Sequence, residues 1–193
     1  YKLEKKGLSI IHMEVGQPST GASREALEKL NQKMLNDRMG YTLALGLPEL
    51  KKGISELYKL RYNIRLDPER VIITSGSSGA FILAFTAFFD NGDKVLLGEP
   101  GYPSYKNIIK SLGLIPDLVL TNSESKFQLK ASEIQKSKAN GVLIASPSNP
   151  TGTIFDENKL RSVISAAKKN KMIFISDEIY HGINFGGGDN TAL

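Results

Sequence analysis

The amino-acid sequence predicts an α/β fold, a three-layer sandwich around a mostly parallel sheet. Short β-branched runs alternate with helical patterns along the chain, and the runs at 141–145 and 172–176 are apolar almost throughout, as in strands buried on both faces. Strands that alternate with helices form parallel sheets through right-handed crossovers. An α/β domain follows from this order.

The first part of the chain predicts four elements. We expect a short strand at 10–15 followed by a turn, and a helix at 23–35, where apolar residues recur at helical spacing. After a loop at 41–46, Pro48 is expected to open a helix that runs to residue 59, because proline suits a first helical position. A β-branched strand at 71–74 then leads into a small-residue turn.

The rest of the chain repeats the strand and helix units. The helix that follows the turn, up to residue 89, is so apolar that we expect it to be buried between layers. Further strands are predicted at 94–98 and 118–120, and a short helix at 129–136. The most regular unit is a strand at 141–145, a loop at 146–152, an amphipathic helix at 156–170 and a strand at 172–176.

Composition excludes several classes of protein. With 193 residues, 40% hydrophobic and 23% charged, the chain is typical of a globular protein, and it has neither a membrane-length apolar run nor an opening signal sequence. We therefore expect a cytoplasmic protein. The absence of cysteine removes disulfides and thiol chemistry, and weighs against a metal site. The net charge of +5 comes with dispersed lysines, which weighs against a nucleic-acid surface.

Candidate functional residues follow the predicted strands. In open parallel sheets, ligands bind beyond the carboxyl ends of the strands, and four clusters with polar residues stand there: 75–78, 99–102, 146–152 and 177–180. His12 and His181, the two imidazoles, are instead expected to be a strand residue and a surface or packing residue.

The first cluster is a candidate phosphate site. Gly76, Ser77 and Ser78 lie where a strand becomes a helix, so that free N–H groups, hydroxyls and the positive end of the helix dipole converge. The pattern is neither a Walker loop nor a dinucleotide fingerprint. By itself the pattern is a weak signal, because serine and glycine before a helix more often serve as ordinary caps.

The other clusters each allow two interpretations. Tyr102, held between Gly101 and Pro103, offers a ring for a planar ligand or for core packing. Asn149 is either a turn residue or a hydrogen-bonding group for a ligand.

Asp177 ends an apolar strand, where its carboxylate needs a cationic partner or caps a following turn. Tyr180, three residues later, places a phenol on the same side if the chain coils after the strand.

Taken together, the sequence resembles the N-terminal part of a class I/II aminotransferase, a pyridoxal-phosphate enzyme of the aspartate aminotransferase fold (fold type I). The resemblance spans essentially the whole chain, and the order and spacing of six motifs make it specific. The motifs are EVGQP at 14–18, Tyr41 with GLPEL at 46–50, TSGSSGA at 74–80, PGY at 100–102, SPSNPTG at 146–152 and SDEIY at 176–180.

The resemblance implies the cofactor pyridoxal 5'-phosphate and a role for each matching residue. Gly76, Ser77 and Ser78 would hold its phosphate, Tyr102 would stack on its ring, and Asp177 would pair with the protonated ring nitrogen. Asn149 and Tyr180 would bind the phenolic oxygen, with Asp177 and Tyr180 acting as catalytic residues. Gly16 and Asn149 would contact the substrate. Tyr41 would reach the phosphate of a neighbouring subunit, which implies a homodimer with shared active sites.

The resemblance also implies a domain organisation. Residues 1–40 would contribute to a small domain and the substrate site, and 41–193 would form an incomplete cofactor-binding large domain. The Schiff-base lysine of the family is expected about thirty residues after the Asp177 motif, whereas the sequence ends at Leu193. We therefore expect the printed chain, without that lysine and the C-terminal small domain, to be inactive alone.

Three functions stay open at this point. The first is transfer of an amino group between an amino acid and a 2-oxo acid. A lyase or synthase of the same fold shares these residues, and a noncatalytic protein could retain the cofactor fold to bind ligands. The sequence does not identify the amino acid.

Overall fold

The computed structural model describes residues 1–12, 16, 20–183 and 190–192. The chain divides into two compact units, Tyr1–Thr42 and Leu43–Leu193. The first unit contains a short 3₁₀ helix, Glu4–Lys6, and helix α1, Arg24–Asn36. Ser23 caps α1 by accepting a hydrogen bond from the N–H of Ala26, as expected of serine at this position. The predicted strand at 10–15 does not appear at 10–12, and 13–15 lie outside the described residues.

The second unit is an α/β domain around a four-stranded, all-parallel sheet. Its strands are β1 (Lys94–Glu99), β2 (Ile115–Leu120), β3 (Gly141–Ala145) and β4 (Ile173–Asp177). They lie in the order β2-β1-β3-β4. Its helices are α2 (Pro48–Tyr62), α3 (Gly76–Phe88), α4 (Pro103–Ser111), α5 (Ala131–Lys136) and α6 (Glu157–Lys169). A 3₁₀ turn at Pro68–Arg70 lies between α2 and α3. The predicted α/β fold is confirmed.

The sheet separates two hydrophobic clusters, which makes the arrangement three-layered. Successive residues of a strand point to opposite faces, so Val95 and Leu97 pack on one side and Leu96 on the other. The first cluster holds apolar residues of α3 and α4, and the second those of α5 and α6. Helices thus cover both faces, as parallel sheets require.

Two predictions about this unit were wrong. Residues 71–74 do not form a strand of the sheet. Their backbone bonds to the preceding loop instead, since the N–H of Ile73 donates to the carbonyl of Leu45 at 3.1 Å. Helix α3 is not buried all round, since only Phe81 and Phe85 of its residues are buried while Leu83 is 55% exposed. In the described part of the chain, α3 therefore packs through one face.

The strand ends bring the polar clusters to one edge. The register pairs Ala145 with Asp177, so β3 and β4 end side by side, and the N–H of Ser146 donates to the carbonyl of Asp177 at 3.0 Å. Because β1 runs parallel to β3, its carboxyl end lies at the same edge. Loops that carry residues 99–102, 146–152 and 177–180 leave the sheet there.

Candidate functional site

Five of the residues predicted from the sequence line one cavity of about 220 Å³. They are Ser77, Tyr102, Asn149, Asp177 and Tyr180, and the wall is completed by Tyr105, Ala145, Pro147 and Ile179. All belong to the second unit. The cavity therefore joins the N-terminus of α3 to the ends of β1, β3 and β4.

One end of the cavity is the first turn of α3. Gly76 has φ of +73°, a left-handed conformation that glycine adopts without strain. The hydroxyl of Thr74 donates to the carbonyl of Gly76 at 2.9 Å and braces the turn. Among the residues that the structure describes, no side chain caps this helix, and its first turn has no acidic residue. The positive end of its dipole is therefore left for an anion. Ser77 lines the cavity, whereas Gly76 and Ser78 lie exposed beside it.

Tyr102 stands directly before helix α4, where the backbone is tightly constrained. A Cβ at Gly101 would lie 2.7 Å from the carbonyl oxygen of Gly98, so only glycine fits this close turn. Pro103 occupies the first position of α4 on the other side. The ring of Tyr102 makes an edge contact with that of Tyr105, with centroids 5.3 Å apart and planes at 82°. Tyr102 thus both packs against Tyr105 and lines the cavity.

Asp177 presents a carboxylate whose two oxygens are each held by a donor. The hydroxyl of Tyr105 donates to Oδ2 at 2.5 Å, and the N–H of Ile179 donates to Oδ1 at 3.1 Å. Among the described residues, no ion pair includes Asp177. The carboxylate therefore braces the turn after β4 and still offers free lone pairs for a donor of a ligand.

Tyr105 is the residue of this cavity that the sequence reasoning missed. It is 6% exposed, and burial, followed by its hydrogen bond to Asp177, raises the pKa of its phenol far above the ordinary value. The phenol therefore remains a hydrogen-bond donor at neutral pH. Its position three residues after Tyr102, on the first turn of a helix that leaves a strand end, was the available signal, because such residues share a helix face.

Asn149 and Tyr180 complete the site from two loops. Asn149 is half-buried in the loop after β3, which closes through a hydrogen bond from the N–H of Gly152 to the carbonyl of Ser148 at 2.7 Å. Tyr180 lies in the turn after β4 and is 37% exposed. Both phenol and amide reach the same cavity as Asp177, as the strand-end rule predicts.

Two predicted site residues belong to the first unit. Tyr41 has a fully exposed side chain, and Gly16 is exposed between residues that lie outside the described chain. Their roles at a phosphate and a substrate stay predictions. The same holds for the roles assigned to Gly76, Ser77, Ser78, Tyr102 and the other cavity residues.

Neither histidine is among the described residues that line this cavity. His12 Nε2 is 2.8 Å from Glu4 Oε1 in the first unit, and it lies outside any strand of the described chain. His181 Nδ1 is 2.6 Å from the hydroxyl of Tyr62. Over the described residues, no cluster of ligating side chains could hold a metal ion, and no helix there is long and apolar enough to cross a membrane.

Comparison with known proteins now assigns the family. The model of "aminotransferase class I and II" matches residues 9–193, so the chain belongs to the class I and II aminotransferases. The resemblance found in the sequence motifs is confirmed.

Individual relatives agree with this assignment. The chain is 37% identical to a valine–pyruvate aminotransferase of Mycobacterium tuberculosis over 95% of its own length and 48% of the relative. It is 36% identical to a (5-formylfuran-3-yl)methyl phosphate transaminase of Methanocaldococcus jannaschii over 100% of its length and 50% of the relative. An alanine aminotransferase structure from Pyrococcus furiosus matches with a TM-score of 0.93 and 29% identity, over 99% of this chain and 50% of that one. The chain thus spans about half the length of the relatives it matches.

Proposed function

We propose that this chain is the cofactor-binding part of an aminotransferase that uses pyridoxal 5'-phosphate to move an amino group between an amino acid and a 2-oxo acid. The observation that carries the proposal is the single cavity at the sheet edge, which combines a helix N-terminus, an aromatic ring and a carboxylate without a basic partner among the described residues. Membership of the aminotransferase family supports it.

The residues of the cavity fit this cofactor by their chemistry. A phosphate needs N–H and hydroxyl donors at a positive site, which the first turn of α3 with Ser77 offers. A flat pyridinium ring needs an aromatic surface and an acceptor for its N–H, which Tyr102 and Asp177 offer. The phenolic oxygen of the cofactor needs donors, which Asn149 and Tyr180 offer. The phosphate, the ring nitrogen and the phenolic oxygen of the cofactor each have a counterpart.

Pyridoxal phosphate, when bound, supplies an electron-withdrawing ring that stabilises negative charge at the substrate's α-carbon. The carboxylate of Asp177 accepts the N–H of the ring and keeps the proton at that nitrogen. The N–H groups and hydroxyls of Ser77 and Ser78 would donate hydrogen bonds to the phosphate. Asn149 and Tyr180 orient the ring through its oxygen. Ala145 and Ile179 add apolar surface to the lining.

The contacts with a second subunit and with the substrate, and the cellular location, are part of the same proposal. We assign Tyr41 to the phosphate of a second copy of the chain, in a homodimer, and Gly16 to the substrate, in line with the family resemblance. The full exposure of the Tyr41 ring is compatible with a contact to another subunit. Light scattering of the purified protein tests the dimer, and cell fractionation tests the cytoplasmic location.

Turnover by the complete natural protein tests the function. Purified enzyme is incubated with single amino acids and either pyruvate or 2-oxoglutarate, with valine and pyruvate included because a relative bears that name. We expect conversion of both partners in equal amounts. Consumption of the amino acid without any oxo acid would instead show a lyase. Absence of both turnover and cofactor binding would contradict the proposal.

A further inference from the structure

Tyr105 contacts two side chains of the proposed cofactor site and the helix whose first turn forms its anion end. Its hydroxyl donates to Asp177 Oδ2 at 2.5 Å. Its ring meets the ring of Tyr102 edge to face at 5.3 Å. On another side it meets Phe81, with centroids 5.2 Å apart and planes at 78°. Phe81 belongs to α3, the helix whose first turn forms the anion end of the cavity.

The surroundings of Tyr105 leave its side chain little freedom. It is 6% exposed and forms part of the hydrophobic cluster between α3, α4 and the sheet. A buried aromatic ring with two perpendicular ring contacts has one favourable orientation. The direction of its hydroxyl is therefore set by core packing.

The carboxylate of Asp177 depends on that direction. A side chain at a strand end rotates about two bonds, and a single backbone contact, from the N–H of Ile179 to Oδ1 at 3.1 Å, does not determine both. The hydroxyl of Tyr105 on Oδ2 supplies the second fixed point. Hydrogen bonds to an ionised oxygen are stronger than those between neutral groups, so this bond holds the carboxylate in one orientation towards the cavity.

We propose that Tyr105 is the positioning residue of this site, which fixes the carboxylate of Asp177 and the ring of Tyr102 relative to the first turn of α3. Its action on a bound cofactor is indirect, through Asp177 at the ring nitrogen and through Tyr102 at the ring face. The inference rests on the proposed function, because it presumes that Asp177 binds a pyridine nitrogen. The raised pKa of the phenol supports it, since a neutral phenol remains a donor over the working range of pH.

The test compares two ligands on the complete natural protein, freed of cofactor. The probes are pyridoxamine 5'-phosphate, which binds without a bond to a lysine, and its 1-deaza analogue, in which a CH group replaces the ring nitrogen. Tyr105→Phe removes one hydroxyl and keeps the ring. We expect it to weaken binding of pyridoxamine phosphate by about tenfold, the usual effect of losing one hydrogen bond to a charged group. Binding of the analogue, which has no nitrogen for Asp177, should change little.

A double-mutant cycle isolates the path through Asp177. In an Asp177→Ala background, Tyr105→Phe should have no further effect on pyridoxamine phosphate, because the group it positions is gone. Tyr58→Phe is the control, since Tyr58 is a partly buried tyrosine that lies on α2, outside the cavity lining. We expect it to bind both probes as the parent does.

A second variant keeps the test decisive if Tyr105→Phe does not fold. Phe81 packs against Tyr105 and is not one of the described residues that line the cavity. Phe81→Leu should still weaken binding of pyridoxamine phosphate more than binding of the deaza analogue, because a Tyr105 ring that packs less tightly no longer directs its hydroxyl at Asp177.

Unchanged affinity in Tyr105→Phe, or an equal loss for both probes, would overturn the positioning role. Failure of the parent protein to bind pyridoxamine phosphate would instead overturn the proposed function.

Discussion

The buried hydroxyl of Ser146 accepts a hydrogen bond from the N–H of Phe155 at 3.1 Å. Ser146 is 2% exposed and directly follows β3, and Phe155 lies at the far end of the loop that carries Asn149. The bond therefore closes this loop at its base. A buried side chain that does not itself line the cavity thus holds the position of a predicted binding residue.

Ser146→Ala should lower the free energy of unfolding by about 1–3 kcal/mol, because it leaves a buried N–H group without a partner. Urea unfolding followed by circular dichroism measures this. Ser162→Ala is the control, since Ser162 lies exposed on α6 and its hydroxyl donates to the carbonyl of Asn158 in the same helix. We expect that change to stay within about 0.5 kcal/mol. Equal stability of both variants would show that the loop does not depend on Ser146.

Asp177→Ala should reduce kcat/KM for amino-group transfer on the order of 100-fold, because the proposed partner of the ring nitrogen is lost. Steady-state kinetics with saturating cofactor measure the effect. Asp156→Ala removes an equal charge at the N-cap of α6, away from the cavity lining. It should cost about 1 kcal/mol of stability and leave kcat/KM nearly unchanged. Retention of full activity by Asp177→Ala would contradict the assigned role.

Ser77→Asp should weaken binding of pyridoxal phosphate strongly and spare binding of pyridoxal, which has no phosphate. The new carboxylate would occupy the positive end of α3 and repel an anion there. Fluorescence titration of the two ligands separates these effects. Asn158→Asp adds the same charge to the first turn of α6 and should leave both affinities unchanged. Similar losses for both ligands would mean that α3 does not hold the phosphate.

Tyr102→Ala should lower the affinity for pyridoxal phosphate by up to about tenfold, whereas Tyr102→Phe should preserve it. A ring face contributes about 0.5–1.5 kcal/mol beyond its buried area, and phenylalanine keeps that face while it removes only the hydroxyl. Equilibrium dialysis against cofactor measures both variants. Equal affinity of the alanine and phenylalanine variants would show that the ring of Tyr102 does not contribute to binding.

The raised pKa of Tyr105 predicts a loss of stability at alkaline pH. Below the ordinary tyrosine pKa of 10.0 the phenol is neutral in both the folded and unfolded chain. Above it the unfolded chain loses the proton first, so the free energy of unfolding falls as pH rises through the folded pKa. Urea unfolding between pH 8 and 11 should show the stability advantage of the parent over Tyr105→Phe shrinking above pH about 10. A constant difference across this range would contradict a raised pKa in the folded protein.

Local sequence determined the elements that depend on short-range signals. The apolar run at 141–145 became β3 with the predicted bounds, because a strand buried on both faces is apolar throughout. Proline at the first position of α2 and Asp156 at the cap of α6 marked the starts of those helices. The rule that ligands bind at the carboxyl ends of parallel strands was enough to select Ser77, Tyr102, Asn149, Asp177 and Tyr180, which share one cavity.

Only the tertiary structure decided which strands pair, which helix faces are covered and which distant side chains are in contact. The β-branched run at 71–74 has strand propensity, yet Ile73 pairs with Leu45 and remains outside the sheet, since a strand exists only through its neighbour. Helix α3 is apolar on all sides, but packing covers one face. The sequence analysis did not select Tyr105, whose bond to Asp177 spans 72 residues of sequence. Sequence patterns record local preference and burial, whereas a contact between distant side chains depends on how the layers pack.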